Sequence, residues 1–200
     1  MSKGKVIIIS GPAGSGKGTI VKNLLETDPA FNISVSLTTR APRPNEVEGV
    51  SYFYVSKEEF KKRLDEGRVL EHNEYCGNLY GTPRDFVEKL VSEGKFVILE
   101  IDTNGAAQIK KLLPEAVTVF VIPERKELIR ERLVGRGTET AEVIEKRLLE
   151  AEAELIAARN YDYIVINATG RSEEAAKRII DIAYLAEGSV PSMKEILETY

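Results

Sequence analysis

Gly11-Pro12-Ala13-Gly14-Ser15-Gly16-Lys17-Gly18-Thr19 follows an apolar run, Val6-Ile7-Ile8-Ile9, and leads into a helical pattern, Ile20-Val21-Lys22-Asn23-Leu24-Leu25. Strand, glycine-rich turn and helix is the context a phosphate-binding loop requires. Glycines let successive backbone N–H groups turn inward around phosphate oxygens, and the helix starting here aims its positive end at the same anion. Lys17 adds a point charge within reach of terminal phosphates. Glycine also closes ordinary strand-to-helix turns, but the lysine and both flanking glycines decide for a nucleotide cradle. One residue departs from the strict pattern: Gly18 follows the lysine, and the hydroxyl that would meet a metal comes one place later, at Thr19.

Outward from this loop, apolar runs of strand length recur at Lys5–Ile9, Ile33–Leu37, Phe96–Ile101, Val117–Ile122 and Tyr163–Ile166. Several are continuously apolar, as parallel strands covered on both faces are. Helical patterns separate most of them. Lys17–Glu26 is one. Thr82-Pro83 opens another, with Thr82 as N-cap, Pro83 at the first helical position and Gly94 as stop. A third fills Asn104–Leu113, ended by Pro114, and Ser172–Glu187 closes the core. The alternation predicts an open α/β sheet with ligands at the carboxyl ends of its strands.

Two segments break the rhythm. Ser34 to Gly81 holds short β-rich pieces (52–55 and 69–71) and a helix over Lys57–Glu66 with a capping box, Ser56 and Glu59. Arg125 to about Asn160 is helical and charged, and sets Ile144, Leu148, Ala151 and Leu155 on one narrow apolar stripe. That suits either a mobile lid or a plain surface helix pair. Pro191 and the capping box Ser192/Glu195 start a last short helix. The chain is expected to be one domain with core 1–33, 82–124 and 161–200, a first appendage at 34–81 and a second at 125–160.

With 200 residues there is enough chain for a substantial core. A net charge of −4 disfavours a nucleic-acid backbone as partner. No apolar run approaches the roughly 20 residues that span a bilayer, and Met1–Lys5 leaves no room for a signal peptide before the first strand. One cysteine, Cys76, excludes an internal disulfide framework, and one histidine, His72, leaves few soft metal ligands, so no structural zinc is expected and both are read as bystanders. These features predict a cytoplasmic protein with no membrane or obligate protein partner.

Four further groups of residues carry chemistry. In Ser36-Leu37-Thr38-Thr39-Arg40-Ala41-Pro42-Arg43, two proline-stiffened guanidinium forks suit phosphate oxygens, with Tyr52 and Tyr80 able to add hydroxyls. Alternatively the stretch is a solvated turn. Glu71 ends a short strand and either is simply exposed or reads a base. An ionised carboxylate only accepts, and guanine's Watson–Crick edge offers two adjacent donors. Adenine would leave it unpaired, so such a site can reject the wrong base by about 10⁴ or more. Ser36 would then donate to the guanine carbonyl. Glu100 and Asp102 end an apolar strand two residues apart, so both project from one face; they are either stray strand-end acids or stand where a carboxylate holds magnesium, often through water. Arg132, Arg136 and Arg147 either pair with nearby Glu139, Glu142 and Glu145 or neutralise a transferring phosphoryl group. Asn167, at the end of a strand, reads equally as a purine contact or a turn residue.

Taken together these residues resemble the guanylate kinase family. The loop Gly11–Thr19, the segment Ser36–Arg43, Gly77-Asn78-Leu79-Tyr80-Gly81-Thr82, Leu99-Glu100-Ile101-Asp102 and Gly135-Arg136-Gly137-Thr138-Glu139 appear in the family's order. The resemblance runs from Lys5 to about Glu187. It implies a P-loop kinase fold of the α/β class, with a parallel-sheet core, a GMP-binding region (34–81) and a helical lid (125–160). The implied activity is Mg²⁺-dependent transfer of a phosphoryl group from ATP to GMP. By resemblance Ser36, Glu71 and Thr82 bind guanine, and Arg40, Arg43, Tyr52 and Tyr80 hold the GMP phosphate. Glu100, Asp102 and Arg147 also fall on the GMP side. Gly11, Pro12, Ala13, Gly14, Ser15, Gly16, Lys17, Gly18, Thr19, Arg132, Arg136 and Asn167 serve ATP, and Lys17 with the arginines carries catalysis. Thr19 and Asp102, the latter through water, face the metal. The rivals are another nucleoside monophosphate kinase, or a non-catalytic guanylate-kinase-like binding module, although such modules typically lose the loop or the lid arginines. A GTPase is disfavoured because no Asn-Lys-x-Asp motif occurs. Asn45, Ser51 and Thr103-Asn104 depart from the family pattern without removing an expected ligand.

Overall fold

A computed structural model describes residues 4–75, 77–135 and 141–187. Five strands form a wholly parallel sheet: β1 (Lys5–Ser10), β2 (Phe31–Ile33), β7 (Phe96–Glu100), β8 (Val117–Pro123) and β9 (Tyr163–Asn167), in the order β2-β7-β1-β8-β9. The unbroken apolar run of β1 is explained by cover on both faces, whereas on the edge strand β9 Tyr163, Ile164 and Ile166 are exposed. Ile7 and Ile9 pack with Ile20, Val21 and Leu24 of α1 (Lys17–Thr27) and with Ala176 and Ile179 of α7 (Ser172–Glu187). Val6 and Ile8 point the other way, onto Val87 of α3 (Arg84–Ser92) and Ala106 and Ile109 of α4 (Thr103–Leu112). The glycine-rich loop leaves the carboxyl end of β1, the middle strand.

A second sheet has the order β4-β3-β6-β5, built from β3 (Leu37–Thr38), β4 (Phe53–Tyr54), β5 (Val69–Tyr75) and β6 (Asn78–Pro83). Its own small core holds Leu37, Val69 and the fully buried Phe60 of α2 (Lys57–Asp65). Ser56 Oγ caps α2 by accepting from Glu59 N at 3.1 Å, but the Glu59 carboxylate turns to Arg63 instead of closing the box. Helices α5 (Glu127–Gly135) and α6 (Ala141–Ala157) pack through Ile129, Leu133, Ile144 and Ala151, with Ala13 of the loop against them.

Three sequence expectations are corrected. The strand expected at Ile33–Leu37 is two strands, because the chain crosses there from the first sheet to the second: Ile33 pairs with Ile98 and Leu37 with Phe53 and Gly81. Thr82 does not cap a helix. It lies in β6, α3 starts at Arg84 without a side-chain cap, and the Thr82 hydroxyl is drawn to Glu71. Asp102 is not a strand residue sharing a face with Glu100. It caps α4, accepting from Gly105 N at 2.8 Å. The expected helix at 192–195 lies outside the described residues. Among the described residues, no helix is long and apolar enough to cross a membrane.

Candidate active site

The loop is held open from behind. Gly16 caps α1 with φ 90° and brings no side chain to the start of that helix, whose positive end suits an anion. A Cβ on Gly16 would stand 2.3 Å from Nδ2 of Asn167, so only glycine fits. That amide donates to the Ser15 carbonyl at 2.8 Å. Asn167, only 5% exposed, thereby braces the loop from behind. Arg132 braces the same turn from α5, donating to the carbonyls of Gly14 at 3.1 Å and Ser15 at 3.3 Å. Lys17 curls back over the loop, its ammonium donating to the Gly11 carbonyl and, at 3.2 Å, to that of Pro12.

Three cavities meet at this point. One of about 310 Å³ lies along the loop, lined by Ala13, Gly14, Gly16, Lys17, Gly18, Thr19 and Glu100. A second, about 510 Å³, runs from Lys17 past Glu100, Asp102 and Glu154 to Ser36 and Tyr52. A third, about 410 Å³, is lined by Ser36, Tyr52, Glu71, Asn73, Tyr80, Gly81 and Asp102. The last two share Ser36, Tyr52, Glu100, Ile101 and Asp102, so a path joins Glu71 to Lys17.

Glu71 is buried, 7% exposed, at the irregularity between Val69 and His72 where the β5–β6 register shifts. Such a shift re-aims side chains: Leu70 enters the main core, and Glu71 faces the cavity. Thr82 Oγ1 donates to its Oε1 at 2.7 Å. Burial raises its pKa, the Thr82 bond opposes that rise, and the charge of Asp102 adds to it. Glu100 is accessible through the cavities, yet the protein around it pushes its pKa up, with Lys17 opposing. Glu154, on α6, is raised by burial in the same way, again with Lys17 opposing.

Arg40 is held by Glu46, with Nη2 at 2.8 and 3.0 Å from its two oxygens, and its Cζ lies 5.5 Å from the Tyr52 ring centre. Glu46 also accepts from Arg43 N and Tyr54 OH, both at 2.8 Å. The Arg40 bond, then that of the Arg43 amide, holds the Glu46 carboxyl down at about 2, and the same pairing raises Arg40.

The structure thus gathers Ser36, Tyr52, Glu71, Tyr80, Glu100, Asp102, Lys17 and Thr19 on connected cavities. Thr82 stands behind Glu71, and Arg132 and Asn167 behind the loop. Arg43, exposed, and Arg147, half-buried on α6, line none of the three cavities. Arg136, Glu139 and Cys76 lie outside the described residues. Glu46, Asn73 and Glu154 escape a sequence reading, because no local pattern marks an acid six residues after an arginine, an asparagine within a strand, or one glutamate among many on a helix. Among the described residues, no cluster of three or more His, Cys, Asp or Glu side chains is placed to hold a metal.

A family model described as Guanylate kinase matches residues 3–182. The guanylate kinase of Synechocystis sp. is 48% identical over 165 residues, covering 82% of this chain and 86% of that protein. That of Clostridioides difficile is 42% identical over 197 residues, covering 98% and 95%. Among solved structures, the crystal structure of guanylate kinase from Anaplasma phagocytophilum superposes with a TM-score of 0.74 at 32% identity, covering 100% of this chain and 96% of that one.

Proposed function

The chain belongs to the guanylate kinase family, and from that membership and the cleft geometry we propose how its residues carry out ATP-dependent phosphorylation of GMP. The reaction moves the γ-phosphoryl group of ATP to an oxygen of the GMP phosphate, giving ADP and GDP. It needs positioning and charge compensation, and no covalent enzyme intermediate.

Guanine enters the cavity at Glu71, whose ionised carboxylate accepts from the ring N–H and the exocyclic amine, while Ser36 donates to the carbonyl. Thr82 holds one carboxylate oxygen in place. Tyr52, Tyr80 and Arg40, with Arg43 and Arg147 closing in, take the GMP phosphate. ATP lays its phosphates along the amides of residues 11–19, and Lys17 leaves the loop carbonyls for phosphate oxygens. Arg132 makes the same exchange, since its planar fork meets phosphate oxygens bidentately and with opposite charge, which the loop carbonyls do not offer. Asn167 keeps the loop in shape. Region 34–81 is the GMP-binding part and 125–160 the lid; its closure would exclude the water that otherwise accepts the phosphoryl group.

Magnesium fits this chain in the way it fits nucleotide sites generally, on one or two protein oxygens plus substrate phosphates. Thr19 and Glu100, which face the loop cavity together, would supply the oxygens. Asp102 already accepts from Gly105 and Asn73, so it would act only through water. The ion, when bound, offsets charge on the phosphates.

One observation carries the reading: the Glu71 cavity opens into the Lys17 cavity across a shared wall, so a single nucleotide can present its base to one and its phosphate to the other. A coupled assay over GMP, IMP, AMP, CMP and UMP, with and without Mg²⁺, tests it. GMP should exceed the others by orders of magnitude, only with the metal. Equal rates for AMP and GMP would refute the assignment.

A further inference from the structure

Helix α4 turns toward β5 a face of which these roles use only Asp102. Asp102, its cap, accepts from Asn73 Nδ2 at 2.9 Å. Further along, the Gln108 amide takes both backbone groups of His72: the His72 N–H donates to Oε1 at 3.4 Å, and Nε2 donates to the His72 carbonyl at 3.3 Å. The two residues that follow Glu71 are thus clipped to one helix, immediately after the register shift. Between the clips lies Gly105. A Cβ there would stand 3.0 Å from Oε2 of Glu71 and 3.3 Å from its Cδ. The carboxylate therefore rests on bare helix backbone on one side and on the Thr82 hydroxyl on the other.

Glycine within a helix works against helix stability, and alanine is the better former there. Apart from the carboxylate, the nearest neighbour of that Cβ is Ile101 Cδ1 at 3.4 Å, an ordinary contact. The glycine is accounted for by the space Glu71 occupies.

We propose that Gly105 and Gln108 are positioning residues for base specificity. Gly105 leaves the room in which the Glu71 carboxylate lies, and Gln108 locks the β5 backbone so that the carboxylate points into the cavity. This rests on the reading of Glu71 as the guanine-binding group.

The test uses the full chain and its Gly105→Ala, Gln108→Ala and Glu71→Gln variants, with steady-state kinetics on GMP, IMP and AMP, the ATP KM, and thermal unfolding. Gly105→Ala displaces a charged hydrogen-bond acceptor, so the GMP KM should rise about tenfold or more. kcat and the ATP KM should stay near wild type, the preference for GMP over IMP and AMP should shrink, and Tm should hold or rise. Gln108→Ala should act in the same direction, by about threefold, one neutral clip being lost. A fall in Tm with kcat and the ATP KM degraded alongside would mean that Gly105 serves packing, and would overturn the proposal. So would a GMP KM and base preference within twofold of wild type in both variants. Unchanged selectivity in Glu71→Gln would overturn the base reading beneath it. Collapse there, with Gly105→Ala and Gln108→Ala silent, would overturn this inference alone.

Discussion

Glutamine in place of Glu71 keeps the shape of the side chain and removes its charge. The carboxylate offers two charged acceptors to guanine's two donors, whereas the amide offers one neutral acceptor and sets its own N–H₂ against a donor. Hydrogen bonds to charged groups contribute about 1.5–3 kcal/mol, and neutral ones about 1. The exchange should therefore remove about 2–4 kcal/mol, a fall of about 30- to 1,000-fold in kcat/KM for GMP. AMP should lose little, since adenine's ring acceptor can take the new amide N–H. Stability should move the other way. Burial raises the Glu71 pKa, so the folded protein binds that proton more tightly than the unfolded chain. Stability then falls as pH rises from the ordinary value of 4.5 through the raised one, and at pH 7 the ionised carboxylate is a net cost. Glu71→Gln should melt higher than wild type at pH 7, with the gap closing as the pH is lowered through that window. Over the same window wild-type kcat/KM for GMP should decline more steeply than that of the variant, in which the substrate phosphates still titrate but position 71 does not. The assay is ADP release coupled to NADH oxidation, with Tm from calorimetry. A GMP kcat/KM within threefold of wild type, with an unchanged GMP-to-AMP ratio, would refute the role of Glu71; a lower Tm at pH 7 would refute the burial argument.

Lys17→Met should lower turnover by about 100-fold or more, the scale of one lost transition-state donor, with GMP affinity by calorimetry within about threefold; unchanged turnover contradicts the role given to Lys17. Asn167→Ala takes the 2.8 Å bond from the Ser15 carbonyl and, among the described residues, leaves it the 3.3 Å bond from Arg132. A loss of about 1–3 kcal/mol at a buried acceptor should raise the ATP KM by about five- to a hundredfold, and an unaltered ATP KM would count against the strut. Phe60→Ala empties the centre of the small second core, where Phe60 is fully buried. It should cost about 3–5 kcal/mol by urea titration, and a loss below about 1 kcal/mol would show that this sheet does not depend on its anchor.

The glycine-rich loop, its strand and helix α1 were legible because their determinants lie within a few residues: glycines at the turn, an apolar run before it, helical periodicity after it. The parallel sheet was legible for the same reason, since its central strands, covered on both faces, carry continuous apolar runs that need no knowledge of their neighbours. What the tertiary structure alone decided are the partners that chemistry at a distance selects. Thr82 fits a helix cap locally, yet gives its hydroxyl to Glu71, 11 residues away. Asn167 ends its strand as a plain polar residue and becomes a strut only because Ser15, 152 positions earlier, arrives beside it. Asp102 pairs with Asn73 across 29 positions, and Gln108 clips His72 across 36. No local rule separates an exposed strand-end acid from a buried one. Glu71, expected at the end of its strand, lies inside β5, buried where a shifted register turned it inward and helix α4 left a gap the width of one missing methyl group.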